Sequence, residues 1–358
     1  MIPLRESASK IRSDLKPRFW RSRVIRLAGS ALILTLLLTI LPFHQVWSAI
    51  KRIPPALALE LLCAYLVLHL LGVVKWRLLI NTAGADLTFS QSVRCYYGGL
   101  FGNIFLPSLV GGDLVRGGMA FLVSRSRTAI VLGSLTDRVQ DVLGLLGVTT
   151  IGVLLLPTSL DYQSHKRLWA VGITLLVLGA LGLGLLLALP ARKFPFKIRR
   201  IMAKLRRGIR SMYGRPGRML TAFGLGMVLQ VCQAGINYQL GVASGLHLTF
   251  NMWLFAWPLA KLSALVPITQ GGIGVREAVL VGLMAPFGAP PAFTAAVGLL
   301  FQAIVISGGM IAGLIALVMG RFSSAPTKPP HYAPEFAGNG AEASNGCDCP
   351  SESRADIA

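Results

Sequence analysis

Two arginines, Arg116 and Arg276, stand 160 residues apart in matching surroundings. The stretches LPSLVGGDLVR (106–116) and VPITQGGIGVR (266–276) share Pro107/Pro267, Gly111/Gly271, Gly112/Gly272, Val115/Val275 and Arg116/Arg276. A proline blocks the helical turn before it, and a glycine pair permits a sharp reversal and close backbone approach. The residues after each pair begin a new helix, whose first amide N–H groups attract anions. An arginine just inside that start adds a full charge and a two-pronged fork suited to phosphate. The chemistry this predicts is capture of an anionic group. Close helix packing, with Arg116 reaching the cytoplasmic surface, accounts for one copy as well. A second copy in the opposite orientation leaves Arg276 without that outlet.

Other polar residues gather around the motifs. Asp113 precedes Arg116 by one helical turn, and Glu277 follows Arg276 directly. With Asn103 they complete the expected substrate-binding set: Asn103, Asp113, Arg116, Arg276 and Glu277. The run TDRVQD places Asp137 and Asp141 on one helical face beside Arg138. Together with Lys261 these form an expected charge network. Ionisable groups at membrane depth are functional candidates, since each costs about 2.5–3.5 kcal/mol to insert. For Asp137 and Arg138, a structural ion pair at the cytoplasmic boundary is an equal reading. Glu60 is a weaker candidate.

The elements that must carry these residues are membrane helices. Mean hydropathy is +0.64, hydrophobic residues make up 54% and charged residues only 14%, against roughly 25% charged in soluble domains. Several apolar runs reach the ~20 residues that cross a bilayer as helix, and none alternates as a membrane barrel requires. The fold class is therefore all-α and polytopic. Spans are expected at about 27–50, 56–74, 132–156, 168–190, 219–243 and 292–319. Two shorter, broken stretches at 92–120 and 251–289 each centre on one motif and read as re-entrant helical hairpins, turning at Pro107–Gly112 and Pro267–Gly272.

The net charge of +21 would suggest nucleic acid if read alone, but no nucleic-acid motif accompanies it. Its placement fits membrane topology. With the N-terminus inside, segments 1–26, 75–127, 191–218 and 320–358 hold 8, 6, 11 and 3 Lys/Arg. The two short outer loops hold only Lys51, Arg52, Lys166 and Arg167. Trp20, Trp47, Trp76 and Trp169 fall at expected span ends, at the headgroup level. Trp253 and Trp257 would flank the outer end of the second broken stretch. The order span, span, hairpin, span then occurs twice from opposite sides, an inverted repeat of the kind secondary transporters use. Repeat 1 is 27–156 and repeat 2 is 157–320.

Outside the repeats lie a basic cytoplasmic N-terminus (1–26), too long for a signal peptide with the run that follows, and a Pro/Gly/Ser/Ala-rich tail (321–358) expected to be disordered. Between the repeats, Ile198, Ile201, Leu205, Ile209 and Met212 line one face of a cationic helix over 191–218. It either anchors topology or gathers anionic lipid at the inner surface. Cys63, Cys95 and Cys232 read as packing residues. The tail pair Cys347/Cys349 reads as solvated thiols more readily than as a metal site.

The segments VKWRLLI (74–80), YYGGLFGNIFLPSLVGGDLVR (96–116), TDRVQDVLGLL (136–146) and VPITQGGIGVREAVL (266–280), in that order, resemble the lysylphosphatidylglycerol synthase membrane-region family of flippase-like proteins. The resemblance runs from about residue 25 to 320. It implies a bacterial inner-membrane protein acting on anionic phospholipid or a related lipid-linked substrate. It also implies that the family's polar motif residues fall on Asn103, Asp113, Arg116, Asp137, Arg138, Arg276 and Glu277. Fused members carry a soluble aminoacyl-transferase domain, and nothing after Arg321 resembles one, so lipid aminoacylation is not carried over.

Three functions are open at this point. The first is translocation of an anionic lipid headgroup between leaflets, with the tails left in lipid. The second is a non-transporting accessory to lipid or glycolipid assembly, partnered with a lipid- or glycan-modifying enzyme. The third is an intramembrane enzyme, for which no zinc-binding His pair, Ser/His/Asp set or phosphate-cradling loop is evident; His44, His69, His165, His247 and His331 are scattered. No cofactor, metal or nucleic acid is expected, and the bilayer and an anionic lipid are the expected partners.

Overall fold

A computed structural model of the chain describes residue 35 and residues 43–105, 111–124, 126–156, 214–264 and 272–322. Within these the chain is helical throughout: α1 (Phe43–Lys51), α2 (Pro55–Thr82), α3 (Phe89–Phe105), α4 (Gly111–Val123), α5 (Arg127–Leu154), α6 (Pro216–Ser244), α7 (Phe250–Ser263), α8 (Val275–Met284) and α9 (Pro291–Phe322). A 3-10 turn, Ala285–Phe287, follows α8. The span expected at 168–190, most of the cationic helix at 191–218, Pro107, Pro267, Gly271 and the cysteine pair of the tail lie outside the described residues.

Local chemistry sets the helix ends. Prolines open α2, α6 and α9, where a missing N–H costs nothing. Ser126 caps α5 by accepting from the Ala129 N–H. Gly245, at φ +94°, closes α6 in the left-handed conformation that glycine adopts freely. The turn after α2 is braced by Asn81, whose side chain both donates to the Leu87 carbonyl and accepts from its N–H.

Three helices, Pro55–Thr82, Pro216–Ser244 and Pro291–Arg321, are long and apolar enough to cross a membrane. α5 is 28 residues long but carries charge along its first half. α3, α4, α7 and α8 are shorter, with 17, 13, 14 and 10 residues. At 1.5 Å per residue they reach from about 15 to about 25 Å, less than the ~30 Å hydrocarbon core. Each broken stretch is thus two helices rather than one span. The first pair is a tight antiparallel hairpin: side chains added at Gly98, Gly99 and Gly102 of α3 would run into Met119, Arg116 and Val115 of α4.

The order long helix, helical hairpin, long helix occurs twice, as α2–(α3–α4)–α5 and α6–(α7–α8)–α9. The two leading helices run antiparallel: Gly72 lies against Leu229, Lys75 against Gly226 and Leu79 against Ala222. The hairpins exchange partners. α3 packs along α9, with Gly309 against Ile104, Gly313 against Phe101 and Gly320 against Arg94. α7 packs along α5, with Gly152 against Phe255 and Asn251 donating to the Leu155 carbonyl. The largest core cluster forms where α2 and α5 meet α6, α7, α8 and α9, around Trp253, Phe255, Trp257, Leu240 and Met284. Leu59, Val67, Leu122, Leu220, Leu314 and Leu317 are more than half exposed on the outside, a surface suited to lipid.

Two expectations are corrected. The span expected to end at residue 74 continues to Thr82, so Lys75 and Trp76 are not boundary residues. Both are buried, Trp76 completely. The basic VKWR run looked like a span end, but Lys75 and Trp76 point inward to Asp137, Asp141 and Ser134 on α5, while Arg77 donates to the Leu87 carbonyl in the turn after α2. Trp253 and Trp257, expected at the outer surface, are likewise buried in the core. Trp47, in the middle of α1, is half exposed.

Candidate functional site

Both hairpins and four long helices surround a cavity of about 280 Å³. It is lined by Arg116 and Arg276, and also by Asn103, Asp113, Asp137, Arg138, Asp141 and Lys261. The two arginines thus reach one chamber from separate hairpins. Glu277 is not among the lining residues, and Glu60 is exposed on the outside of α2.

On one side of the chamber six charges form an alternating chain. Lys75 donates to Asp141 at 2.5 Å and to Asp137 at 2.9 Å. Arg116 donates to Asp137 at 3.0 Å and to Asp113 at 2.9 Å, and Asp113 accepts from Arg138. The order Asp141, Lys75, Asp137, Arg116, Asp113, Arg138 sums to zero charge. Each inner member has an opposite charge on both sides, which is what buried ions require to offset lost hydration. The Arg116 guanidinium also lies 4.9 Å from the Trp76 ring and 5.2 Å from that of Tyr96, within cation–π range. Its Nε, buried, has no hydrogen-bond partner.

Local folding explains how α4 presents this arginine. Gly112 donates its N–H to Asn103 Oδ1 at 2.8 Å, so the Asn103 amide satisfies one free donor at the start of α4. A side chain at Gly112 would collide with Asn103 and with the Gly99 carbonyl. Asn103 therefore ties the hairpin together while facing the chamber.

On the opposite side Arg276 is held differently. It donates to Glu277 Oε1 at 2.5 Å, to Gln302 Oε1 at 3.0 Å and to the Gly298 carbonyl at 3.4 Å. Trp257 and Phe301 flank the guanidinium at 5.4 and 5.6 Å. Glu277 is fully buried and also accepts the Gly274 N–H at 2.7 Å. It therefore anchors both the arginine and the start of α8, where Gly272 and Gly274 adopt φ of +77° and +88°. Glu277 holds Arg276 in place and does not face the chamber.

Lys261, expected in the charge network, contacts none of its acids. Its ammonium donates to Gln230 Oε1 at 2.9 Å and Gln233 Oε1 at 2.6 Å, both on α6. Sequence reading missed Lys75, Gln230, Gln233 and Gln302. The spacing of Asp137 and Asp141 gave a signal for Lys75, because two acids on one face call for a cation between them. Nothing in the sequence singled out the glutamines. Among the described residues no group of three or more His, Cys, Asp or Glu could hold a metal.

The family model for the lysylphosphatidylglycerol synthase TM region matches residues 23–313. The chain belongs to this family. No curated protein matches it. Membership makes this a membrane protein tied to lipid handling, and the chamber is where its polar groups meet.

Proposed function

We propose that this family member is a flippase-like integral protein of the bacterial inner membrane. It binds the anionic headgroup of a phospholipid, or of a related lipid-linked substrate, and passes it between leaflets. One observation carries the reading: Arg116 and Arg276, from two hairpins too short to span, line the same chamber. At about 280 Å³, the chamber sits near the low end of ligand pockets, roughly 300–1,000 Å³. A headgroup fits it; acyl chains stay outside in lipid.

The topology we propose has six full spans and two re-entrant hairpins, related as an inverted repeat, with both termini cytoplasmic. The antiparallel run of α2 against α6 supports it, as does the exchange of hairpins between halves. Transport in such folds proceeds by rocking one repeat against the other around a midplane site. Here the headgroup would meet Arg116 in one state and Arg276 in the other. The acids already bound to each arginine keep it oriented between visits. The protein carries lipid without making or breaking bonds in it, and needs no cofactor.

The test is a leaflet-resolved assay with labelled phosphatidylglycerol in vesicles containing the purified protein. Exchange above that of empty vesicles, slowed by Arg116→Ala, is the expected result. Binding of the lipid without exchange would overturn transport in favour of an accessory that presents lipid to a modifying enzyme. That second reading draws on the internal neutrality of the six-charge chain, which suits a fixed groove.

A further inference from the structure

The charges of the chamber do not cancel. The six-membered chain from Asp141 to Arg138 is neutral, and Arg276 is neutralised by Glu277. Among the described residues that line the chamber, one cation is left over. Lys261, on the chamber wall, makes no salt bridge to any acid among the described residues, and its hydrogen-bond partners are two neutral carbonyl oxygens. Foremost among the charges that act on it from a distance are one acid, Asp141, and three cations, Arg138, Lys75 and Arg276. An ammonium so placed lacks a counter-ion, which a low-dielectric wall makes costly.

Its neighbours are arranged to receive an anion. Gln230 and Gln233 are buried, 2% and 5% exposed. Because each turns its Oε1 toward Lys261, each keeps its Nε2 donors free for another acceptor. Trp257, one helical turn before Lys261 on α7, is buried with its indole N–H unpartnered, and it too lines the chamber. A buried donor without an acceptor is a debt that a ligand oxygen can settle.

We infer that Lys261, with Gln230 and Gln233, is the seat of the anion, and that the chamber is built for a headgroup of single net negative charge: a phosphodiester with no cationic substituent, rather than a zwitterionic headgroup, a phosphomonoester or a diphosphate. The inference rests on the lipid-headgroup reading above and narrows it. One leftover positive charge balances one negative charge; a second would face the acids of the six-membered chain unopposed. The arginines, each already paired, then guide the headgroup, while Lys261 selects its charge.

Gln233→Glu tests this with little change of shape. It gives Lys261 an internal counter-ion, so the resident carboxylate takes the place of the ligand. Equilibrium binding of fluorescent phosphatidylglycerol and, separately, phosphatidylcholine is measured on the purified full chain in detergent micelles. Wild type is expected to favour phosphatidylglycerol at least tenfold. Gln233→Glu and Lys261→Met should erase that preference, with melting temperatures confirming that each is folded. Retention of the preference by a folded Gln233→Glu would overturn the seat while leaving the lipid reading intact. Absence of anionic-lipid binding in wild type would instead sink the lipid reading itself. Glycerophosphoglycerol, the same phosphodiester without tails, decides the source: displacement of the lipid makes a free phosphodiester sufficient, and failure to displace it makes the tails part of the ligand. A preference for phosphatidic acid's monoester over phosphatidylglycerol would overturn the single-charge rule.

Discussion

Asp137 on α5 accepts from Arg116 on α4 at 3.0 Å while its other oxygen accepts from Lys75 on α2 at 2.9 Å. One carboxylate therefore ties three helices, and it is 4% exposed. Asp137→Asn should destabilise the protein by up to about 3–5 kcal/mol, because it leaves one net positive charge buried in the chain, although Lys75 keeps Asp141 and Arg116 keeps Asp113. Thermal or denaturant unfolding in detergent reads the loss. Adding Lys75→Met should restore part of it, since the remaining Asp141, Arg116, Asp113 and Arg138 again sum to zero charge, and a double-mutant cycle measures how much.

The two arginines should respond unequally to removal. In Arg116→Ala both acids keep a cation: Asp137 retains Lys75, and Asp113 retains Arg138. That variant should stay folded, and its effect should appear in lipid exchange. In Arg276→Ala the fully buried Glu277 loses its only ion-pair partner among the described residues. Its melting temperature should fall well below that of Arg116→Ala, and Arg276→Ala/Glu277→Gln should recover most of the difference. Equal melting temperatures for the two single variants would contradict the assignment.

The hairpin glycines divide into those the packing needs and those it does not. Gly112→Ala would press against the Asn103 side chain and the Gly99 carbonyl, whereas new side chains at Gly117 and Gly118 would meet open space. Gly112→Ala should cost about 1–3 kcal/mol by overpacking. Gly117→Ala and Gly118→Ala, both in the interior of α4, should be neutral or stabilising by about 0.5–1 kcal/mol. Unfolding midpoints of the three variants check the contrast.

Gly272, at φ +77°, opens the approach to α8, and a side chain there would meet Ala264. Gly272→Ala should therefore be destabilising, by roughly 1–2 kcal/mol for the left-handed backbone alone. Arg276 should lose its alignment with Gln302. Faster labelling of Arg276 by an arginine-selective dicarbonyl, relative to wild type, is the expected readout.

Much of this arrangement was legible in the residues. Proline and glycine pairs mark breaks in an apolar chain, and the repeated arginine tells where the two breaks match. Asp113, Asp137 and Arg138 stood out because charge at membrane depth demands a partner. What stayed hidden was which partner. Lys75 follows an apolar run in a basic segment, so charge counting placed it in water; only the packing of α2 against α5 and α6 turns it inward. Trp76 and Trp257 were misplaced for a related reason. Tryptophan suits the headgroup level, yet it also suits the flat face of a guanidinium, and sequence does not distinguish the two. Gln230, Gln233 and Gln302 are neutral residues on apolar helices, invisible until Lys261 and Arg276 are set beside them.

The swap of hairpins between halves has a consequence for biogenesis. α3 leaves the ribosome early, but the glycine face it fits belongs to α9, the last described helix to be made. At ~5–20 residues per second, the first hairpin waits on the order of tens of seconds with that flank uncovered. During synthesis the nascent chain therefore holds an unfinished groove beside lipid or an insertion factor. Closure comes only when the final helix slides in as a keystone.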